Sequence, residues 1–522
     1  MLAVLPLLLA PCADGAEEAH YLDASLDLDG ELLSWRFLDL EDDGSRELLL
    51  AIRTADGERE LRVHRFGEAG LRREAETTVR ILPDVLAWGV ADVREEPGRE
   101  LLFLGRSGAW SYSLALPGYR DNVQRLAPEE LIYDMPDPRE LPFWAYVFRG
   151  PASPGPGRDL VLLPGRDRLS VWGPPAGGTA GTPGAYVLRA ALPTTPGDAS
   201  TDDLGADGAN RGGGPRVGVD AASPFLPEAS DGGSSLLQDA HGIAAPALLD
   251  VDGDGHADLV EAGQESLKLY LGSREGPPSE PTRVEALPDV LRDTKEREVS
   301  LRLRDVDGDG RLDVVALVAD AADGFENRPF RVLVYRGRER RLLGDEPDQV
   351  LRFEAGDLEV EVVDVDSDGR MDLTVEKLVL PSLVGAVTGI EFTFSLLVFP
   401  GEARGFARRP VFSHEELFDE ETAIDLAASR RWVLDCNGDG TADLVEIDLN
   451  GDITIRRVLR EENRLRGSRW TLDPAPWKRF GVEGSIDSLT VDDFNGDGLG
   501  DVVSAAGDRL VVLLSVRPGA RR

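Results

Sequence analysis

At 522 residues the chain is longer than one ordinary hydrophobic core supports, so it is either several domains or one repeat array. Its 96 acidic against 57 basic residues, a formal charge of −39, argue against nucleic acid or an anionic lipid surface as partner. Of its two cysteines one lies in the first dozen residues, so a processed chain has no internal disulfide and needs another kind of cross-link.

Met1 to Ala10 is a short apolar stretch followed by small residues, and residues 1–16 read as the core and cleavage zone of a secretory signal that lacks a basic start. A lipid anchor at Cys12 is the alternative, disfavoured by Pro11. No integral membrane span is expected in the remainder, residues 17–522, which read as a single array.

The first repeated feature is Asp39-Leu-Glu41-Asp-Asp43-Gly44-Ser-Arg-Glu47, which places an acid at positions 1, 3, 5 and 9 of a nine-residue turn. A second turn, from Asp92 to Glu100, has Arg94 at position 3 and Pro97 at position 6, so the arginine is expected to stand in for a lost ion. A third, residues 151–159, keeps only Asp159 and is expected to be metal-free. Five clear copies follow, beginning at Asp250, Asp305, Asp364, Asp435 and Asp493. Each has glycine at position 6 (Gly255, Gly310, Gly369, Gly440, Gly498), where a tight curl needs a left-handed residue. Oxygen ligands crowded this closely repel one another unless a hard cation sits among them, and calcium is the natural candidate.

The eight turns start at 39, 92, 151, 250, 305, 364, 435 and 493, and only the interval from 151 to 250 is long. An alternating segment enters each turn, as in Val360-Glu-Val362-Val363, and an apolar run leaves it, as in Val314-Val315. A third segment such as Val332 to Tyr335 and a fourth, more polar one complete four strands per repeat. Four-stranded sheets at this spacing pack radially, so the expected fold is an all-β propeller of eight four-stranded blades, or seven if one weak unit is an excursion. The last repeat stops after its third strand, near Val516, and Tyr21 to Leu26 can supply the fourth and close the ring.

Two stretches break the rhythm. Residues 173–242 are rich in Gly, Pro, Ser and Asp and read as a low-complexity insertion, with Tyr186-Val187-Leu188 as a strand at its start. Residues 378–399 are apolar, but Pro381, Gly385, Gly389 and Glu391 interrupt them, which favours an elongated hairpin over a span. The aromatic run 133–148 is the candidate for an exposed ligand surface. The five histidines are scattered, and no zinc, nucleophile-elbow or phosphate-loop motif is present, so no catalytic residue is assigned. Glu261 and Glu446 fall at position 12 of their turns, as in an EF-hand, yet the flanks alternate with period two, which excludes flanking helices.

The DxDxDGxxD turns between strands resemble the FG-GAP and VCBS-type repeats of integrin-alpha-like β-propellers, from about residue 21 to 516. The resemblance implies calcium held by side chains at positions 1, 3, 5 and 9 and by the backbone carbonyl at position 7. The corresponding residues are Asp250, Asp252, Asp254, His256 and Asp258; Asp305, Asp307, Asp309, Arg311 and Asp313; Asp364, Asp366, Asp368, Arg370 and Asp372; Asp435, Asn437, Asp439, Thr441 and Asp443; and Asp493, Asn495, Asp497, Leu499 and Asp501. Asp39, Glu41, Asp43 and Glu47 form a drifted sixth site. The family's Phe-Gly pair survives as Phe66-Gly67, with Trp172-Gly173, Leu271-Gly272 and Arg336-Gly337 as looser counterparts. The expected function is an exported, secreted or surface binding module for an extracellular protein or glycan, with calcium in a structural role. A polysaccharide-processing hydrolase or lyase on the same scaffold, or a purely structural surface component, is the alternative.

Overall fold

The computed structural model describes residues 20–67, 70–118, 122–129, 131, 141–148, 159–165, 168–175, 186–193, 216–218, 247–263, 265–273, 276–292, 294, 296–320, 326–338, 341–381, 392–418, 430–432, 434–448, 450–463, 467–482, 486 and 488–517. The leader, Cys12 and most of the 173–242 insertion lie outside these residues.

Eight four-stranded antiparallel blades form a closed ring. Blade 1 contains Gly30–Leu38, Glu47–Thr54, Arg59–His64 and Thr77–Ile81, and blade 2 contains Val85–Ala91, Glu100–Gly105, Gly108–Tyr112 and Val123–Ala127. Blades 3 to 7 open with Val147–Phe148, Ala247–Leu249, Arg297–Arg304, Asp357–Val363 and Arg430–Trp432. Blade 8 combines Ser488–Asp492, Asp501–Ala506 and Arg509–Val516 with His20–Asp23 from the other end of the chain. His20 pairs with Val516 and Asp23 with Leu513, so the N-terminal segment closes the ring as its sequence position suggests, and the count is eight.

Alternation decides which face of each strand is dry. In Arg297–Arg304, Val299, Leu301 and Leu303 are buried while Arg302 and Arg304 are half-exposed. Those three pack with Leu267 and Leu269 of blade 4, and each blade contributes to an apolar layer shared with its neighbour. The segment that leads into Val147–Phe148 runs beside the first strand of blade 2: Trp144 N donates to Trp88 O at 2.6 Å and Trp88 N to Pro142 O at 3.1 Å.

Several sequence expectations change here. Leu141 and Phe143 are buried in the apolar layer of blades 1 and 2, and Trp144 and Tyr146 in that of blades 2 and 3, so the described part of the 133–148 run is core and not a ligand surface. Within the insertion, Val187–Pro193 is the fourth strand of blade 3, as expected. Arg216–Gly218 adds an unforeseen parallel strand to Arg297–Arg304, on the side away from the rest of blade 5. The 378–399 stretch contributes to two paired strands, Asp372–Val379 and Phe392–Phe399. Among the described residues no helix is long and apolar enough to cross a membrane. A hairpin of Val458–Asn463 and Gly467–Leu472, unforeseen from sequence, leaves blade 7 and docks on blade 6 through Trp470 N to Val411 O at 3.1 Å. Trp470 is buried there beside Phe412 and Phe394.

Candidate metal centre

The seven turns that begin at 39, 92, 250, 305, 364, 435 and 493 join the first and second strands of their blades, so the up-and-down topology places them on one face of the ring. Their backbone follows one plan. The position-1 carboxylate accepts amides of the turn that follows it: in blade 4, Asp250 Oδ1 accepts from Gly253 N at 2.7 Å and Oδ2 from Gly255 N at 2.9 Å. Asp305, Asp364, Asp435 and Asp493 do the same for Gly310, Gly369, Gly440 and Gly498 at 2.6 to 2.9 Å. Position 6 is left-handed in each, with φ between 80° and 85°. Position 4 is left-handed too, and in two turns a residue other than glycine takes that conformation: Ser367 (φ 55°) and Asp42 (φ 58°). The drifted turn of blade 1 therefore keeps the geometry, with Asp39 Oδ2 accepting from Gly44 N at 2.9 Å and Asp43 Oδ1 from Ser45 N at 2.8 Å.

The position-9 carboxylate fastens the turn to the blade. Asp313 Oδ2 accepts from Val306 N at 3.0 Å and its Oδ1 from Gly337 N at 2.7 Å. Asp372 repeats this with Val365 N and Gly401 N, and Asp258 with Val251 N and Gly272 N. The glycine after the third strand has a steric reason as well: a Cβ on Gly337 would lie 2.0 Å from the Leu312 carbonyl, and one on Gly272 2.1 Å from that of Ala257. Burial pushes Asp258 and Asp313 up to about 6, Asp372 to about 7, and Asp443 and Asp501 to about 8. Dry carboxylates beside other carboxylates favour a proton or a cation.

Three turns bring acids to a point. Asp250, Asp252 and Asp254, then Asp305, Asp307 and Asp313, then Asp364, Asp366 and Asp372 each offer oxygens within 4.8 Å of one another. Asp366 Oδ1 is buried with no hydrogen-bond partner. An all-oxygen donor set with an orphaned carboxylate oxygen fits a hard divalent cation such as calcium. Asp258, Asp309 and Asp368 stand outside these groups of three. In the last two turns the position-3 amide closes over the position-9 acid instead: Asn437 Nδ2 donates to both oxygens of Asp443 at 2.9 and 2.8 Å, and Asn495 Nδ2 to Asp501 Oδ1 at 3.1 Å. Asp439 Oδ1 and Asp497 Oδ1 accept from the amides of Thr441 and Leu499. Among the described residues no group of three acids forms in either turn, nor in blade 1, where Glu41 pairs with Arg65 at 2.6 Å and Glu47 Oε2 accepts from Leu40 N at 2.9 Å.

Blade 2 solves the same problem without converging acids. Arg94 is buried, and its positive charge acts on the carboxylates of Glu100 and Glu96 in the same turn as an internal counter-charge. Its guanidinium reaches between strands, with Nε on Ser111 Oγ at 2.8 Å, Nη1 on Asn122 Oδ1 at 3.1 Å, and Nη2 on the carbonyls of Ser111 and Asn122. Glu100, fully buried, accepts from Val93 N and Arg94 N through Oε2 while Oε1 has no hydrogen-bond partner. Burial raises its pKa to about 7.

Neighbouring turns are also chained. Position 8 of one donates to position 2 of the turn before it in Arg99 to Leu40 (2.7 Å), Met371 to Val306 (3.3 Å) and Ala442 to Val365 (2.7 Å). Gly500 N to Asp435 O at 3.0 Å, and Asp159 N to Asp92 O at 3.0 Å, are variants of that link. Sequence reading missed this chain because backbone amides carry no residue signature.

Fold and turns together define a β-propeller whose blades carry acid-rich turns on one face. Residues 250–316 match the family model described as FG-GAP-like repeat. With the eight-bladed ring, that match fits an FG-GAP, integrin-alpha-like propeller. No curated protein matches the chain. A solved structure described as the crystal structure of BBS1N in complex with ARL6DN, soaked with mercury, aligns over 97% of this chain and 100% of that one. It has 9% identity and a TM-score of 0.34, too distant to carry an argument.

Proposed function

We propose that the chain is an exported, calcium-stabilised propeller that serves as a binding module for a protein or glycan outside the membrane. The observation that carries this reading is the convergence of three carboxylates in each of the turns beginning at Asp250, Asp305 and Asp364. Asp252, Asp254, Asp307, Asp313, Asp366 and Asp372 would complete these sites with the position-1 acids, and the position-7 carbonyls of His256, Arg311 and Arg370 lie on the same turns. The turns beginning at Asp435 and Asp493, and the blade 1 turn, are proposed as further sites with a less complete donor set.

Calcium supplies charge neutralisation here, and the chain supplies the rest. Its amides pre-shape the turn, its position-9 acids tie the turn to the blade, and its glycines allow the close approach. Ions that bind the folded turns and not the unfolded chain stabilise the ring by mass action, by ~3 kcal/mol per site at a hundredfold excess over Kd. Calorimetric unfolding in millimolar calcium and in excess chelator tests this: the transition falls by several degrees on chelation, and an unchanged transition refutes the calcium reading. A glycan and extracellular-protein binding screen, run with and without calcium, tests the module's role.

A further inference from the structure

Three converging carboxylates repel one another, and the three groups differ in how the chain answers that repulsion. In the blade 5 turn the guanidinium of Arg336 sits on Asp307 Oδ2, with Nε at 2.7 Å and Nη2 on the same oxygen, and Nη2 lies 3.8 Å from Asp309. The Asp307 side chain is 2% exposed and that of Arg336 30%, so the pair is dry on its carboxylate side and open to solvent on its guanidinium side. In the blade 6 turn Arg460 reaches across from the blade 7 hairpin and places Nη2 3.1 Å from Asp366 Oδ2, with its guanidinium stacked over Trp470. In the blade 4 turn no arginine is within ion-pair distance of Asp250, Asp252 or Asp254 among the described residues, and Arg283 acts on Asp252 only from farther away. The reason is legible in the chain: the residue after the third strand is arginine in Tyr335-Arg336-Gly337 and leucine in Tyr270-Leu271-Gly272.

We propose that Arg336 and Arg460 are internal competitors for the cation, so that the turns fill in order, the Asp250 turn at the lowest calcium and the Asp305 and Asp364 turns only at higher concentration. This rests on the calcium reading above. A guanidinium paired with a ligand carboxylate repels a divalent ion and must give up or share that carboxylate on binding, whereas Leu271 carries no charge and Arg283 holds none of the three blade 4 acids in an ion pair. The same pairs hold the arginine-bearing turns together without an ion, so the Asp250 turn is the one that opens when calcium is withdrawn. In blade 6 the exchange weakens one of the contacts that hold the hairpin to its neighbour, so cation binding there is coupled to the fit between two blades.

The test is calcium titration followed by hydrogen-exchange mass spectrometry on peptides spanning residues 250–258, 305–313 and 364–372, in wild type, Arg336→Leu, Leu271→Arg and Arg460→Gln. The wild-type Asp250 turn gains protection at the lowest calcium. Arg336→Leu lowers the midpoint of the Asp305 turn about tenfold and leaves the Asp250 turn unchanged, and Leu271→Arg raises the midpoint of the Asp250 turn by a similar factor. Arg460→Gln lowers the midpoint of the Asp364 turn. Arg336→Leu also melts earlier than wild type in chelator and gains more on adding calcium, which separates lost competition from a general loss of structure. Coincident wild-type midpoints, or an Arg336→Leu midpoint that stays or rises, overturn the proposal while leaving calcium binding intact. Absence of calcium-dependent protection at all three turns overturns the calcium reading itself, and the proposal with it.

Discussion

The amide of Ala442 donates to the carbonyl oxygen of Val365 at 2.7 Å, so the turn of blade 7 is tied by its backbone to the turn of blade 6. Similar bonds join blades 1 to 2, 2 to 3, 5 to 6 and 7 to 8. Among the described residues the turns are thus tied in two runs, blades 1 to 3 and blades 5 to 8.

Asp305→Ala tests a single turn. The substitution removes one acid of a converging group and also the acceptor for the amides of Gly308, Asp309 and Gly310. The expected result is loss of one calcium from the binding stoichiometry in isothermal titration. A destabilisation of ~2–4 kcal/mol in urea unfolding accompanies it, part of which persists in chelator because the amides are left without partners.

Arg94→Ala should behave differently. It removes side-chain bonds to Ser111 and Asn122 and takes a positive charge away from buried Glu100, at a cost of ~3–5 kcal/mol. The arginine at position 3 leaves this turn without a ligand there, so the loss measured by urea unfolding should be equal in calcium and in chelator. Arg94→Lys should recover little, because an ammonium lacks the forked donors that reach both partners.

Glu100 gives a pH dependence with a defined sign. Burial raises its folded pKa from 4.5 to about 7, so the folded state holds the proton more tightly. Its contribution favours folding below pH 4.5 and is lost as pH rises through about 7. Unfolding free energy measured in saturating calcium from pH 5 to 8 should fall more steeply in wild type than in Glu100→Gln, and parallel curves would show that the proton is not held there.

Ring closure has its own prediction. Tyr21 donates its hydroxyl to Gly500 O at 2.8 Å and packs edge-on against Trp477 and Phe480, which ties the closing strand to blade 7 as well as blade 8. Tyr21→Phe should cost ~1 kcal/mol in urea unfolding. A chain beginning at Ser25 loses His20–Asp23, which leaves Leu513 to Val516, half of the strand Arg509–Val516, as a bare sheet edge, and it should associate in light scattering where the full chain does not.

Much of this molecule was written in the order of its residues. Period-two alternation around the turns specified strands, eight turn starts specified eight blades, and the unfinished last repeat pointed to Tyr21–Leu26 for closure. Glycine at position 6 and acids at positions 1, 3, 5 and 9 specified a curled, oxygen-rich turn, because side-chain type and local backbone freedom are properties of single residues and short spacings. Other features were not local. Whether Phe143 and Trp144 face a ligand or a neighbouring blade depends on what packs over them, and composition alone suggested the wrong surface. Arg94 was legible as a counter-charge to its turn, but its bonds to Ser111 and Asn122 were not, because those partners come from other strands. The pairing of Arg460 with Asp366 spans 94 residues and two blades, and the amide bonds between turns use groups common to nearly every residue. The chain by itself determined the repeat, the ring and the chemistry of the turns; the tertiary structure decided which acids converge and which are met by an arginine, because those choices rest on distances between segments that the sequence keeps far apart.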